Sequence, residues 1–203
     1  GFVLRRLDGS NYYAVRISPK GKFAVTKTVD GRWVYLKGWA ESSAIGTGGA
    51  SNHLKVVCKG DQIAVFVNGE HLTTVKDVAF EFGHIGVIAS AYKDHPGVHV
   101  AFDNFEVTAA GDAPAPVLAS LPLADDFSDE KSGWPTKDEE DYQEGYRDGA
   151  YYFKQKKADT LRRVVLSGKV YADFVMEVDA ALAAGPEKSQ YGVAFRYVDS
   201  SYF

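Results

Sequence analysis

Glu177 and Asp179 stand one residue apart in Phe174-Val-Met-Glu-Val-Asp179. In an extended strand that spacing puts both carboxyls on one face of a sheet. Glycoside hydrolysis uses a pair of this kind, about 5 Å apart for retention of configuration and farther for inversion. A second chemistry needs no catalyst. Sugars are held by aromatic faces against their C–H surfaces and by planar donors and acceptors around their hydroxyls. Alternation sets Arg16 on the face opposite Tyr13, and Arg196 (or Arg5) on the face opposite Phe195 and Tyr197, where they could line a concave sheet with Trp39 at its rim. The carbohydrate-binding candidates are therefore Arg16, Trp39, Arg196, Glu177 and Asp179. An arginine on such a face is equally suited to a fixed ion pair with Glu177 or Asp179, and Trp33, Trp39 and Trp134 are equally suited to plugging a core.

Calcium needs several converging oxygens, and Asp103, Asp125 and Asp126 would approach one another if the strands that carry them pair. These three are the metal candidates, for a structural calcium, although no calcium-loop motif is present. The histidines at 53, 71, 84, 95 and 99 lack the spacing of zinc ligands. Thr47-Gly-Gly-Ala-Ser-Asn52 lacks the Lys-Ser/Thr of a phosphate loop and leads into a strand rather than a helix, so it reads as a plain loop.

The elements that must position these groups are strands. Twelve Tyr, twelve Phe and three Trp stand against a single Met, and aromatic side chains fit a pleated, half-buried surface. Helical periodicity is absent. Asp30-Gly31 and Asn68-Gly69 separate alternating runs and tolerate the positive φ of tight hairpins. About a dozen strands follow, enough for two stacked sheets. Cys58 lies in the alternating run Leu54–Cys58 and reads as a buried small hydrophobe.

Charge excludes some partners. A net charge of −4 offers no basic stripe for nucleic acid, and no apolar run approaches the roughly 20 residues of a membrane-spanning helix. Ten acidic and three basic residues lie between Ala124 and Asp148, leaving 17 acidic and 20 basic elsewhere. This stretch reads as a solvated acidic loop.

The chain also resembles itself. Gly1-Phe-Val-Leu-Arg-Arg-Leu-Asp-Gly-Ser-Asn-Tyr-Tyr13 matches Gly192-Val-Ala-Phe-Arg-Tyr-Val-Asp-Ser-Ser-Tyr-Phe203 with one residue omitted, and such self-similarity marks a tandem array. The small, proline-punctuated stretch 108–122 has linker composition. Residues 1–107 then read as the C-terminal half of one repeat and 123–203 as the N-terminal half of the next. With no Met or signal sequence at Gly1 and a strand pattern still running at Phe203, the expectation is a segment of a longer protein.

Several motifs are familiar together: Ala124-Asp-Asp-Phe-Ser-Asp-Glu-Lys-Ser-Gly-Trp-Pro135, Phe174-Val-Met-Glu-Val-Asp179, Gly192-Val-Ala-Phe-Arg-Tyr-Val-Asp199, Val65-Phe-Val-Asn-Gly-Glu70, Gly83-His-Ile-Gly-Val-Ile88 and Phe102-Asp-Asn-Phe-Glu-Val107. Joined in the order 123–203 then 14–107, they resemble one member of the concanavalin A-like lectin/glucanase superfamily, in its laminin-G-like branch with sugar-hydrolase-like domains of unknown function. The resemblance implies an all-β, two-sheet antiparallel jelly-roll sandwich, cut out of register across two repeats. It also implies an accessory module of a secreted or surface protein, one that binds glycans or spaces other parts. Glu177-Val-Asp179 is similar to the start of the glucanase Glu-x-Asp-x-x-Glu, but the last position is Leu182, so the acid/base residue is missing and the expectation is no enzyme.

Two copies of one strand compete for a single slot in such a fold. One copy would pair with a neighbouring repeat or a neighbouring chain. The functional expectation is therefore, first, a non-catalytic extracellular or cell-surface tandem-repeat protein that partners copies of itself in structure or adhesion. A glycan-binding module is the alternative, and a weakened glycosidase the third.

Overall fold

A computed structural model describes residues 10–91, 97–111, 123–166 and 169–198. The chain is an all-β jelly-roll sandwich of two antiparallel sheets. One sheet has six strands in the order β13 (Leu161–Val165), β7 (His84–Ser90), β15 (Gln190–Val198), β1 (Asn11–Ser18), β2 (Lys22–Val29) and β3 (Arg32–Glu41). The other has nine. Its main path runs β10 (Lys137–Asp138), β11 (Tyr142–Arg147), β12 (Ala150–Gln155), β8 (Val98–Ala109), β14 (Phe174–Ala184), β4 (Asn52–Lys59), β5 (Gln62–Val67) and β6 (Glu70–Lys76), with β9 (Leu123–Asp125) paired to β8.

Strands from before and after the stretch 108–122 are interleaved in both sheets. β15 lies between β7 and β1, in register Tyr13↔Phe195 and Val15↔Val193 on one side and Val193↔Val87 on the other. The second copy of the duplicated strand thus fills the slot; the first, residues 1–9 with Arg5, lies outside the described residues. β8 extends through Ala109, two residues into the proline-punctuated stretch, whose positions 112–122 are likewise outside the description.

The hairpins follow turn chemistry. Asp30 and Gly31 have φ of 48° and 76°, and Asn68 and Gly69 have 51° and 85°, the paired positive angles that match the twist of the flanking strands. Between the sheets, Tyr13, Val15, Ile17, Phe23 and Val25 face Leu54, Val56, Val65, Phe102, Phe174 and Met176. Cys58 is fully buried, and burial pushes its thiol up to about 12. That inert state agrees with a packing role.

The acidic segment corrects the expectation of a solvated loop. It contains β9, β10 and β11, and Glu144 within it is buried, held by Arg162 Nε and Nη2 at 2.7 Å each. Phe127, Trp134, Tyr146 and Tyr151 form an aromatic cluster beside it, with Trp134 and Tyr151 centroids 5.2 Å apart.

A polar clasp closes the sandwich near β6. The Tyr13 hydroxyl donates to Asp77 Oδ1 at 2.7 Å, Lys27 Nζ to Oδ2 at 2.6 Å, and the Ala79 N–H to Oδ1 at 2.9 Å. Burial alone would raise the Asp77 carboxyl, but these donors outweigh it and hold it below the ordinary carboxylate range. A depressed folded pKa stabilises above the unfolded value, near 3.9, and that contribution disappears as pH falls through the folded value. Asp77→Asn should therefore lower the urea midpoint at pH 7 and flatten its decline below about pH 4. Parallel midpoint profiles for the two proteins would contradict the clasp.

Candidate functional site

Alternation decides what the outer face of the six-stranded sheet carries. With Tyr13, Val15 and Ile17 turned to the core, Tyr12, Ala14, Arg16 and Ser18 turn outward. Thr26 and Thr28 do the same on β2, opposite Tyr35 and Trp33 of β3. The Arg16 guanidinium lies under Trp33, with Cζ 4.2 Å from the ring centroid and 5.8 Å from that of Trp39. Both are cation–π distances.

Arg16 is 1% exposed. Its Nη1 donates to Gln190 Oε1 at 3.1 Å, while Nε and Nη2 are buried without a hydrogen-bond partner. Burial lowers its pKa; Tyr35 and Tyr12 act the other way, though neither meets hydrogen-bond geometry with Nε or Nη2. Above it opens a pocket of about 420 Å³ lined by Arg16, Trp33, Tyr35, Trp39, Asp159 and Gln190, with Ser90 and Ala91. A second pocket, of about 350 Å³, shares Trp39 and Gln190 and continues over Ser18, Lys20, Lys22, Glu187 and Lys188. Both volumes lie in the range of small-molecule sites, roughly 300–1,000 Å³.

The aromatic side chains here are not core. Trp33 and Tyr35 are 46% and 52% exposed, and Trp39 is half-buried. Keeping such a cluster in water is costly, and clustered exposed apolar groups mark contact surfaces. Trp134, by contrast, is a core residue whose Nε1 donates to Asp125 Oδ2 at 2.9 Å.

The five carbohydrate-binding candidates do not converge. Arg16 and Trp39 meet. Arg196 does not join them, because β15 bulges between Ala194 and Tyr197 and Arg196 takes a φ of 46°. The bulge breaks the alternation that would have placed Arg196 with Arg16. Its guanidinium instead spans the end of the sandwich, donating to Ala172 O, Gly60 O and Phe80 O at 3.0–3.2 Å and to Asp173 Oδ1 at 3.4 Å.

Glu177 and Asp179 belong to the other sheet, on the outer face of β14. His53 Nδ1 is 2.7 Å from Asp179 Oδ1, Asn104 Nδ2 donates to Asp179 Oδ2 at 2.8 Å, and Lys55 Nζ lies 2.8 Å from Glu177 Oε1. These acids pair with neighbours on β4 and β8 rather than with either arginine. Leu182, where the motif asks for an acid, is core.

Of the metal candidates, Asp103 lies on β8 and Asp125 and Asp126 at and just after the end of β9, strands that do pair. Asp125 accepts from Phe127 N and Trp134 Nε1, Asp126 from the Ser128 N–H and hydroxyl, and Asp103 from Asn104 N. Among the described residues no three His, Cys, Asp or Glu side chains group as ligands. His95 lies outside those residues. His84 Nδ1 lies 2.7 Å from Lys169 O, and His71 Nε2 2.9 Å from Thr74 Oγ1.

A scan of protein-family models finds no match for this chain, and a search of curated proteins finds none either. The site must therefore be read from its own geometry. Sequence reasoning missed Tyr35, Asp159 and Gln190, which reach the pocket from β3, from the turn before β13 and from the start of β15. No local signal marks them, since each is an ordinary polar or aromatic residue until the sheet brings it beside Arg16.

Proposed function

We propose that the outer face of the six-stranded sheet is a carbohydrate-binding surface, and that the chain is a non-catalytic module of the lectin-like kind acting outside the cytoplasm. The observation that carries this is Arg16, buried beside two tryptophans at the floor of a pocket with two of its nitrogens, Nε and Nη2, unpartnered. Such donors favour an external acceptor because an unmet buried polar group costs about 1–3 kcal/mol. Trp33, Tyr35 and Trp39 supply apolar faces for sugar C–H surfaces, and Gln190, Ser90 and Asp159 supply hydroxyl partners. The concanavalin-type resemblance agrees with this reading. The separation of Glu177 and Asp179 from the pocket gives hydrolysis no support here.

One observation favours self-association as a second reading. β3 is a ten-residue edge strand exposing Trp33, Val34 and Tyr35, and unprotected apolar edges pair with other chains. A glycan array with wild type, Trp33→Ala and Trp39→Ala separates the two. Under the binding reading, wild type retains a defined glycan set, each variant loses it by about tenfold or more, and negative-stain images show dispersed particles. Extended filaments together with a blank array would favour the edge strand.

A further inference from the structure

We infer that the ligand of this face carries a carboxylate, and that the two adjoining pockets are built for an acidic oligosaccharide of the uronate class. This rests on the glycan-binding reading and narrows it. The two unpartnered atoms of Arg16 are Nε and Nη2. They form the side-on edge of the guanidinium, the edge that grips a carboxylate with two parallel hydrogen bonds. Arg162 uses the same pair of atoms on Glu144, at 2.7 Å each. In Arg16 those two atoms lack a hydrogen-bond partner, with Trp33 over the guanidinium and Tyr35 favouring its charged form.

Neutral hydroxyls could satisfy one N–H each, but not the charge. Among the described residues Arg16 has no ion-pair partner: Asp159 lines the pocket without pairing to it, and Glu187 lies 3.5 Å from Lys20. A buried guanidinium without an anion is unfavourable, and a bound carboxylate relieves that cost. The second pocket is an independent pointer. Lys20, Lys22 and Lys188 line it, Lys20 pairing with Glu187 at 3.5 Å and Lys22 with Glu41 at 3.2 Å, and it shares Trp39 and Gln190 with the first. A chain of acidic sugars would place one carboxylate on Arg16 and the next near these ammonium groups.

Entry requires an aromatic side chain to move. Trp33 covers the guanidinium at 4.2 Å, but it projects from an edge strand and is 46% exposed, so rotation of the indole breaks no sheet hydrogen bond. Side-chain rotations of exposed residues take picoseconds to nanoseconds, so this step does not limit binding.

The test titrates the chain with trisaccharides of galacturonate, glucuronate and mannuronate, each beside its methyl ester, following tryptophan fluorescence. The ester keeps ring and hydroxyls and removes the charge. At least one acid should bind about tenfold or more tighter than its ester, the scale of a charge-assisted bond. Arg16→Lys, which retains charge without the fork, should abolish most of that preference. The wild-type comparison stands even if a variant fails to fold, and near-ultraviolet circular dichroism checks that each one does. Equal binding of acid and ester would overturn the carboxylate inference and leave the glycan reading intact. Silence of every acid, ester and neutral glycan would overturn both, and an acid preference unchanged in folded Arg16→Lys would remove Arg16 from the receptor.

Discussion

Arg196→Met should destabilise the fold by about 3–5 kcal/mol, the cost of removing one partner from a buried charged network, without changing the ligand contacts of the outer face. The side chain is 1% exposed. Its guanidinium gathers carbonyls from three separate segments: Gly60 in the β4–β5 turn, Phe80 after β6, and Ala172 before β14. Asp173 reinforces the junction by accepting from the Gly60 N–H at 2.9 Å. Methionine would fill part of the volume but leave those carbonyls unsatisfied, and each lost bond counts for about 1 kcal/mol or more. Domains of this kind are stable by about 5–15 kcal/mol in total, so the loss is a large fraction. The measurement is a urea midpoint with unchanged slope. A decrease under about 1 kcal/mol would show that the carbonyls find water instead.

Arg162→Met should cost a similar amount for a different reason. Glu144 has a side-chain exposure of 0% and both its oxygens are held by Arg162, which also lies 4.0 Å from the Tyr142 ring. Without the arginine a carboxylate is left in a dry site, and breaking a buried pair from one side costs about 3–5 kcal/mol. Replacing both partners is milder, because no charge is then stranded. Arg162→Met with Glu144→Met should recover most of the stability. If the double variant is as unstable as the single one, the pair's importance lies in packing around Tyr142 and Tyr151 and not in its charge.

The two arginines also show where sequence reading succeeds and where it stops. Arg16 was legible, since β1 alternates without interruption and an arginine among tyrosines and valines has one face available. Arg196 obeyed the same rule on paper and broke it in the structure, because a bulge with positive φ at a non-glycine residue has no sequence signature. β11 was hidden differently: its acids read as solvated, and nothing local announces that Glu144 meets an arginine 18 residues later. Turns such as Asp30-Gly31 and Asn68-Gly69 were readable because their chemistry is local. The pocket was only half readable. Arg16 and Trp39 come from β1 and β3 of one sequential meander, with β2 between them, whereas Asp159 and Gln190 arrive through long-range sheet order that periodicity does not encode.

The same comparison separates stability from recognition among the residues singled out. Arg196 and Trp134 are interior fastenings; Glu177 and Asp179 are paired on the far sheet; Arg16, Trp33 and Trp39 remain together on a solvent-facing pocket. A ligand should therefore touch two of the chain's three tryptophans and leave the third alone.

That division makes the most direct measurement an NMR titration of the three indole N–H signals with oligosaccharide. Trp33 and Trp39 should shift progressively with added ligand, while Trp134, donating to Asp125 inside the core, stays fixed. Ligand-dependent shifts at His53 and Asn104 on the nine-stranded sheet, with Trp33 and Trp39 unmoved, would contradict the site.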